Sequence, residues 1–152
     1  MLKEWTRDYA TGAFIRYANR GCPSVLEYEK AVREDVYSRL ALLPPNLIVA
    51  RAEAAISARR PLIEDFEAAR RAVTFLSERG NDWIADAVRI IYQGLPEDKP
   101  TSKNEITNRV RAFSVDHYVS EITVYRALKQ LRLLFTRFRG MTVGTATDDF
   151  YC

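Results

Sequence analysis

The residues with the most chemical content lie between 102 and 139, where polar and basic side chains are threaded through a helical apolar pattern. Ser120 is followed by Glu121, Ile122, Thr123, Val124, Tyr125 and Arg126, with Lys129 and Arg132 on the next two turns. On a helix entering a major groove, Arg bonds guanine edges and Thr or Ile touches a thymine methyl. Arg126 is therefore the first choice for a base contact. Lys103, Arg109, Arg111, Lys129 and Arg132 suit phosphates, adding affinity that falls with salt but little sequence information.

Other chemistries find no support in the pattern. His117 is the single histidine and has no partnered Cys, Ser or carboxylate motif, so it is expected to be structural rather than a catalytic base. The sequence holds no Gly-rich phosphate loop, no His-x-x-x-His ligand spacing and no Gly-x-Ser-x-Gly nucleophile turn, so neither an enzyme nor a cofactor is expected. Cys22 and Cys152 are too sparse for a disulfide framework or a zinc site and are read as free thiols. Trp5, Tyr9, Phe14 and Tyr17 recur at helical spacing, which predicts core or a subunit contact. Arg59, Arg60, Arg70 and Arg71 lie near Glu64, Asp65 and Glu67, as on an ordinary solvated face.

Charge separates the chain into two parts. Residues 1–100 carry 15 basic and 15 acidic side chains, whereas residues 101–140 carry 8 basic against Glu105, Asp116 and Glu121. Asp148 and Asp149 in the tail bring the formal total to +3. A composition of 47% hydrophobic and 28% charged residues is that of an ordinary globular protein of 152 residues with one core. No segment approaches the roughly 18 uncharged apolar residues of a membrane span. Lys3, Glu4, Arg7 and Asp8 interrupt the start as no secretory signal would, and a cytoplasmic protein with no membrane partner is expected.

The elements that must position the basic segment are helical throughout. Apolar residues recur every three or four positions, and strand alternation is absent. Leu2, Trp5, Tyr9, Ala13 and Tyr17 make one stripe, ended at Gly21-Cys22-Pro23. Ser24 and Glu27 form a capping box for a helix whose stripe is Val25, Tyr28, Val32, Val36, Leu40 and Leu43, and Pro44-Pro45 stops it. Residues 46–59 are an Ala-rich helix. Pro61 opens another with Leu62, Phe66, Ala69, Val73 and Leu76 buried, closed by Gly80. Asp82 caps a shorter helix that buries Ile84, Ala87, Val88 and Ile91. Ser102 and Glu105 form a second capping box for a helix of about three turns on Ile106, Val110 and Phe113. After Ser114–Val119, a longer turn without Gly, Ser120 caps a helix ending at Gly140, with Val124, Leu128, Leu131, Phe135 and Phe138 inward. Ile122, Arg126, Lys129 and Leu133 point the other way.

The string Val119-Ser-Glu-Ile-Thr-Val-Tyr-Arg-Ala-Leu128 resembles the turn and recognition helix of bacterial helix-turn-helix regulators, including lactose-repressor-type proteins with their Val-Ser-x-x-Thr-Val-x-Arg pattern. The resemblance implies that Glu121, Ile122 and Arg126 face bases, with Ser120, Thr123 and Tyr125 near the DNA backbone. More broadly, residues 65–139 resemble region 4 of sigma factors and the related phage late-gene activators, which implies double-stranded DNA and RNA polymerase as partners. The expected fold is all-α, a multi-helix bundle with a C-terminal helix-turn-helix. Its expected division is a bracing or oligomerisation segment at 1–60, a sigma-region-4-like unit at 61–140 and a polar tail at 141–152. The expected function is a sequence-specific DNA-binding transcriptional regulator of a phage or mobile element. The alternative is a helical protein–protein assembly module, which includes a phage DNA-packaging subunit.

Overall fold

The structure, a computed structural model, describes residues 2–141, and within them it holds seven helices and no strand. These are α1 (Glu4–Asn19), α2 (Val25–Arg39), α3 (Pro45–Ala58), α4 (Arg60–Ser77), α5 (Ile84–Tyr92), α6 (Lys103–His117) and α7 (Glu121–Arg139). The all-α expectation holds for this span. Asp148, Asp149 and Cys152 of the expected tail lie outside the described residues.

Local chemistry sets the boundaries. Ser24 Oγ accepts the Glu27 N–H at 3.1 Å, satisfying one amide that the first turn of α2 leaves open. α2 ends at Arg39, so Leu40 and Leu43 fall beyond the helix they were expected to extend. Pro45 then occupies the first turn of α3, where a missing N–H costs nothing. Gly140, at φ 71°, closes α7 in the left-handed conformation that glycine adopts without penalty. Two expected caps are absent. Ser102 precedes α6 without a side-chain bond, the Glu105 N–H going to its carbonyl at 3.1 Å while the Glu105 carboxylate pairs with Arg109, and Trp83 rather than Asp82 precedes α5.

The main core gathers α1 with α4, α5, α6 and α7. Phe14 from α1 stacks on Tyr92 from α5 at 5.9 Å and tilts against Phe135 from α7 at 5.8 Å, all three buried. Each such ring contributes about 2 kcal/mol by leaving water, with some further gain from aromatic geometry. Small residues let the helices approach. Ala10, Ala13 and Ala18 on α1 and Ala68, Ala69 and Ala72 on α4 are all buried in this cluster. Asn19 ties the end of α1 to the loop after α5, donating to the Leu95 carbonyl at 3.1 Å and accepting the Gly94 N–H at 2.6 Å.

A second, small cluster of Val32, Ile56 and Ile63 holds α2 and α3 to the start of α4. Here two expected stripes differ from the structure. Of the α2 stripe only Val32 is buried, and of the α1 stripe Trp5 lies in the open, stacked on Tyr9 at 5.8 Å. Periodicity identifies an apolar face, whereas burial also requires an element that covers it.

Candidate functional site

The connection between α6 and α7 is three residues, Tyr118, Val119 and Ser120. The longer turn expected over 114–119 is not formed, since α6 continues through Ser114, Val115, Asp116 and His117. Tyr118 takes φ 56° and ψ 38°, the left-handed position that a glycine would fill in a tight turn between helices. The bend is then secured by hydrogen bonds. Val119 N–H reaches the Ser114 carbonyl at 3.3 Å, and the Ser114 hydroxyl donates to the Val119 carbonyl. Ser120 Oγ accepts the Thr123 N–H at 3.2 Å and donates to Thr123 Oγ1 at 2.7 Å, so its hydroxyl serves the cap.

α7 has two faces of opposite character. Val124, Leu128, Leu131 and Phe135 are buried, with Phe138 packed at the edge of the same core. Its far end is pinned by Arg139, which pairs with Asp65 at 2.8 Å and Glu64 at 3.0 Å. Its near end is open. Glu121, Thr123, Tyr125, Arg126 and Lys129 are exposed, and Ile122 keeps 66% of its surface in solvent. An isoleucine so exposed, in the first turn of a helix, is free to meet a partner.

The basic residues divide by what they touch. Lys103, Arg126 and Lys129 have no carboxylate partner among the described residues. Arg111 lies 3.8 Å from Glu121, close enough to soften both charges but exposed on each side. Arg109 differs from its expected phosphate role: it pairs with Glu105 at 3.0 Å and donates to the Ile91 carbonyl at 3.1 Å and to the Gln93 carbonyl. Those carbonyls belong to the C-terminal end of α5, where a cation satisfies unpaired acceptors. Arg132 is half-buried, with its guanidinium against the Tyr92 hydroxyl. Burial pushes the Tyr92 phenol above its ordinary value, and Arg132 opposes that shift.

Arg7 of α1 belongs with this group, although it lies far from the others in the chain. Two clefts flank α7, one lined by Arg7, Lys129 and Arg132 and the other by Arg7, Lys103, Tyr125 and Arg132. Sequence spacing offers no means of finding Arg7, because its neighbours come from a contact between α1 and α7. His117 stacks on Phe113 at 4.1 Å, at the end of α6. Among the described residues no group of three or more His, Cys, Asp or Glu could hold a metal ion, and no helix is long and apolar enough to cross a membrane.

No protein-family model matches the chain, and no curated protein or solved structure matches it either.

Proposed function

We propose that this chain is a sequence-specific DNA-binding regulator that lays the N-terminal half of α7 in a major groove. The observation that carries the proposal is the open face of α7, where Ile122, Arg126 and Lys129 stand exposed on a helix whose opposite face is locked into the core. A rigid helix with free polar and basic groups in its first turns meets the requirement for reading base edges. Arg126 is placed for guanine, Ile122 and Thr123 for a thymine methyl, and Lys103, Arg111, Lys129 and Arg132 for phosphates. The three-residue connection to α6 supports a helix-turn-helix, with Tyr118 in the place of the usual glycine.

The resemblance of residues 119–128 to helix-turn-helix regulators, and of 65–139 to sigma factor region 4, extends the proposal. The regulator belongs to a phage or other mobile element, acts in the cytoplasm, and has RNA polymerase as a second partner. Selection of bound duplexes from a random pool is the test. A recovered motif is expected, and Arg126→Ala should erode discrimination between sites more than Lys129→Ala does. Failure of both heparin and duplex DNA to retain the protein at low salt would remove this reading.

One observation favours a second reading, a protein–protein assembly module such as a DNA-packaging subunit. Leu26, Leu42 and Val49 on and beside the α2–α3 pair are exposed, an apolar set suited to a second copy in a homo-oligomer. Light scattering separates the cases, since a strict monomer that binds DNA leaves only the regulator.

A further inference from the structure

The two clefts beside α7 share Arg7 and Arg132 and have volumes of about 220 and 380 Å³. Four cations line them, Arg7 from α1, Lys103 from α6, and Lys129 and Arg132 from α7, and among the described residues no carboxylate does. This departs from the pattern elsewhere on the surface. Arg16, Arg20, Arg33, Arg39, Arg70 and Arg89, by contrast, each sit within 4.0 Å of a carboxylate. Among the described residues the only carboxylate near the Arg7 guanidinium is that of its neighbour Asp8 at 4.0 Å, both groups largely in water. Such a contact holds the guanidinium weakly.

We infer that this channel takes the phosphodiester backbone of a bound duplex, and that α1 is therefore part of the DNA-binding surface through Arg7. The inference rests on the DNA-binding reading above and names a contact that reading does not include. Charge complementarity selects the occupant. Four cations from three helices along one flank of the proposed recognition helix form a track for a strand of regularly spaced anions. The position of the track suits a groove wall, since Tyr125 and Lys129 border both the open face of α7 and the clefts. Lys103 also stands in the first turn of α6, where the unpaired amides of an uncapped helix end favour an anion. Arg132 lines both clefts beside Tyr92.

The test measures duplex affinity against salt concentration for the full chain, Arg7→Ala, Arg7→Lys and Arg126→Ala. Arg7→Ala should weaken binding roughly threefold to tenfold at low salt, equally on selected and scrambled duplexes, and reduce the log–log salt slope by about one. Arg7→Lys should restore most of the slope. Arg7 is exposed, so an unchanged melting temperature should accompany the loss. If Arg7→Ala binds as the parent does while Arg126→Ala loses discrimination, the DNA reading stands and the role of α1 is overturned. If the parent itself fails to bind duplex, both fall. A free nucleotide is the other source of phosphate. Saturable binding of ATP by the parent, lost in Arg7→Ala with duplex affinity unchanged, would assign the channel to a small molecule and overturn the inference.

Discussion

Arg139, the last residue of α7, donates from Nε to Asp65 Oδ1 of α4 at 2.8 Å, and the side chain of Asp65 is only 3% exposed. The second oxygen of the same carboxylate accepts the Tyr9 hydroxyl at 2.7 Å and meets Arg16 Nη2 at 3.4 Å, both from α1. One carboxylate thus joins three helices at the end of α7 remote from its open face. A buried carboxylate is tolerable only when its lone pairs are met, and here hydroxyl and guanidinium groups meet them. Burial and then the bond to Asp65 push the Tyr9 phenol above its ordinary value. The direction agrees with a hydroxyl that must stay protonated to donate.

Asp65→Asn should therefore cost about 2 kcal/mol, since it leaves the partly buried Arg16 without its counter-charge and Arg139 with Glu64 alone. For a chain of this size that is a fall in melting temperature of roughly 4–8 °C. Urea denaturation of the variant is the measurement. A midpoint equal to the parent's would mean that the carboxylate is replaceable by any polar group of its shape.

Tyr118→Gly should do the reverse and raise stability. Tyr118 sits at φ 56° with 96% of its surface exposed, so its side chain contributes little packing while its backbone bears a left-handed conformation. That conformation costs a residue with a Cβ about 1 kcal/mol or more, which glycine avoids. Glycine also loses more chain entropy on folding, leaving an expected net gain of about 0.5 kcal/mol. Thermal melting decides. A destabilised variant would show that the ring of Tyr118 contacts something in the folded state.

This turn marks the limit of what the sequence makes legible. Ser24 and Ser120 act as the caps their positions imply, because a cap depends on atoms three residues away. The inward stripe of α7 is equally readable, since Val124, Leu128, Leu131 and Phe135 report one periodic face. Tyr118 is not readable, because a left-handed residue without glycine carries no compositional mark. Trp5 and the α2 stripe fail for a different reason: nothing local states whether another helix will cover them. The surroundings of Arg109 and Arg7 are unreadable for the same cause. Long-range packing brings Arg109 to the end of α5 and leaves Arg7 beside Lys129, and neither outcome is encoded within a turn of helix.

Alkaline stability offers a test of the main core. Burial pushes the Tyr17 phenol from its ordinary 10.0 up to about 12, with Cys22 adding to the rise. A folded-state value above the unfolded one gives stability that is complete below pH 10 and lost as pH climbs from 10 towards 12. The urea midpoint should therefore hold steady up to about pH 9 and fall beyond it. Tyr17→Phe should show a smaller fall, with Tyr9 and Tyr92, also raised by burial, accounting for much of what is left. An identical decline in parent and variant would place Tyr17 in water.

Glu121 carries opposite obligations to the fold and to the proposed ligand. It stands in the first turn of α7, where a negative charge favours the helix dipole, and 3.8 Å from Arg111. On the open face it would also repel a phosphate backbone. Glu121→Gln removes both effects. Stability should drop by about 0.5 kcal/mol, because the dipole interaction is exposed and Arg111 is only loosely paired. Affinity for scrambled duplex should rise severalfold at low salt, because one repulsive charge is gone and Arg111 is released towards phosphate. Melting curves and a filter-binding series on the same preparation read the two changes together. A loss of stability with no gain in affinity would put Glu121 outside the contact, and would move the duplex away from the start of α7.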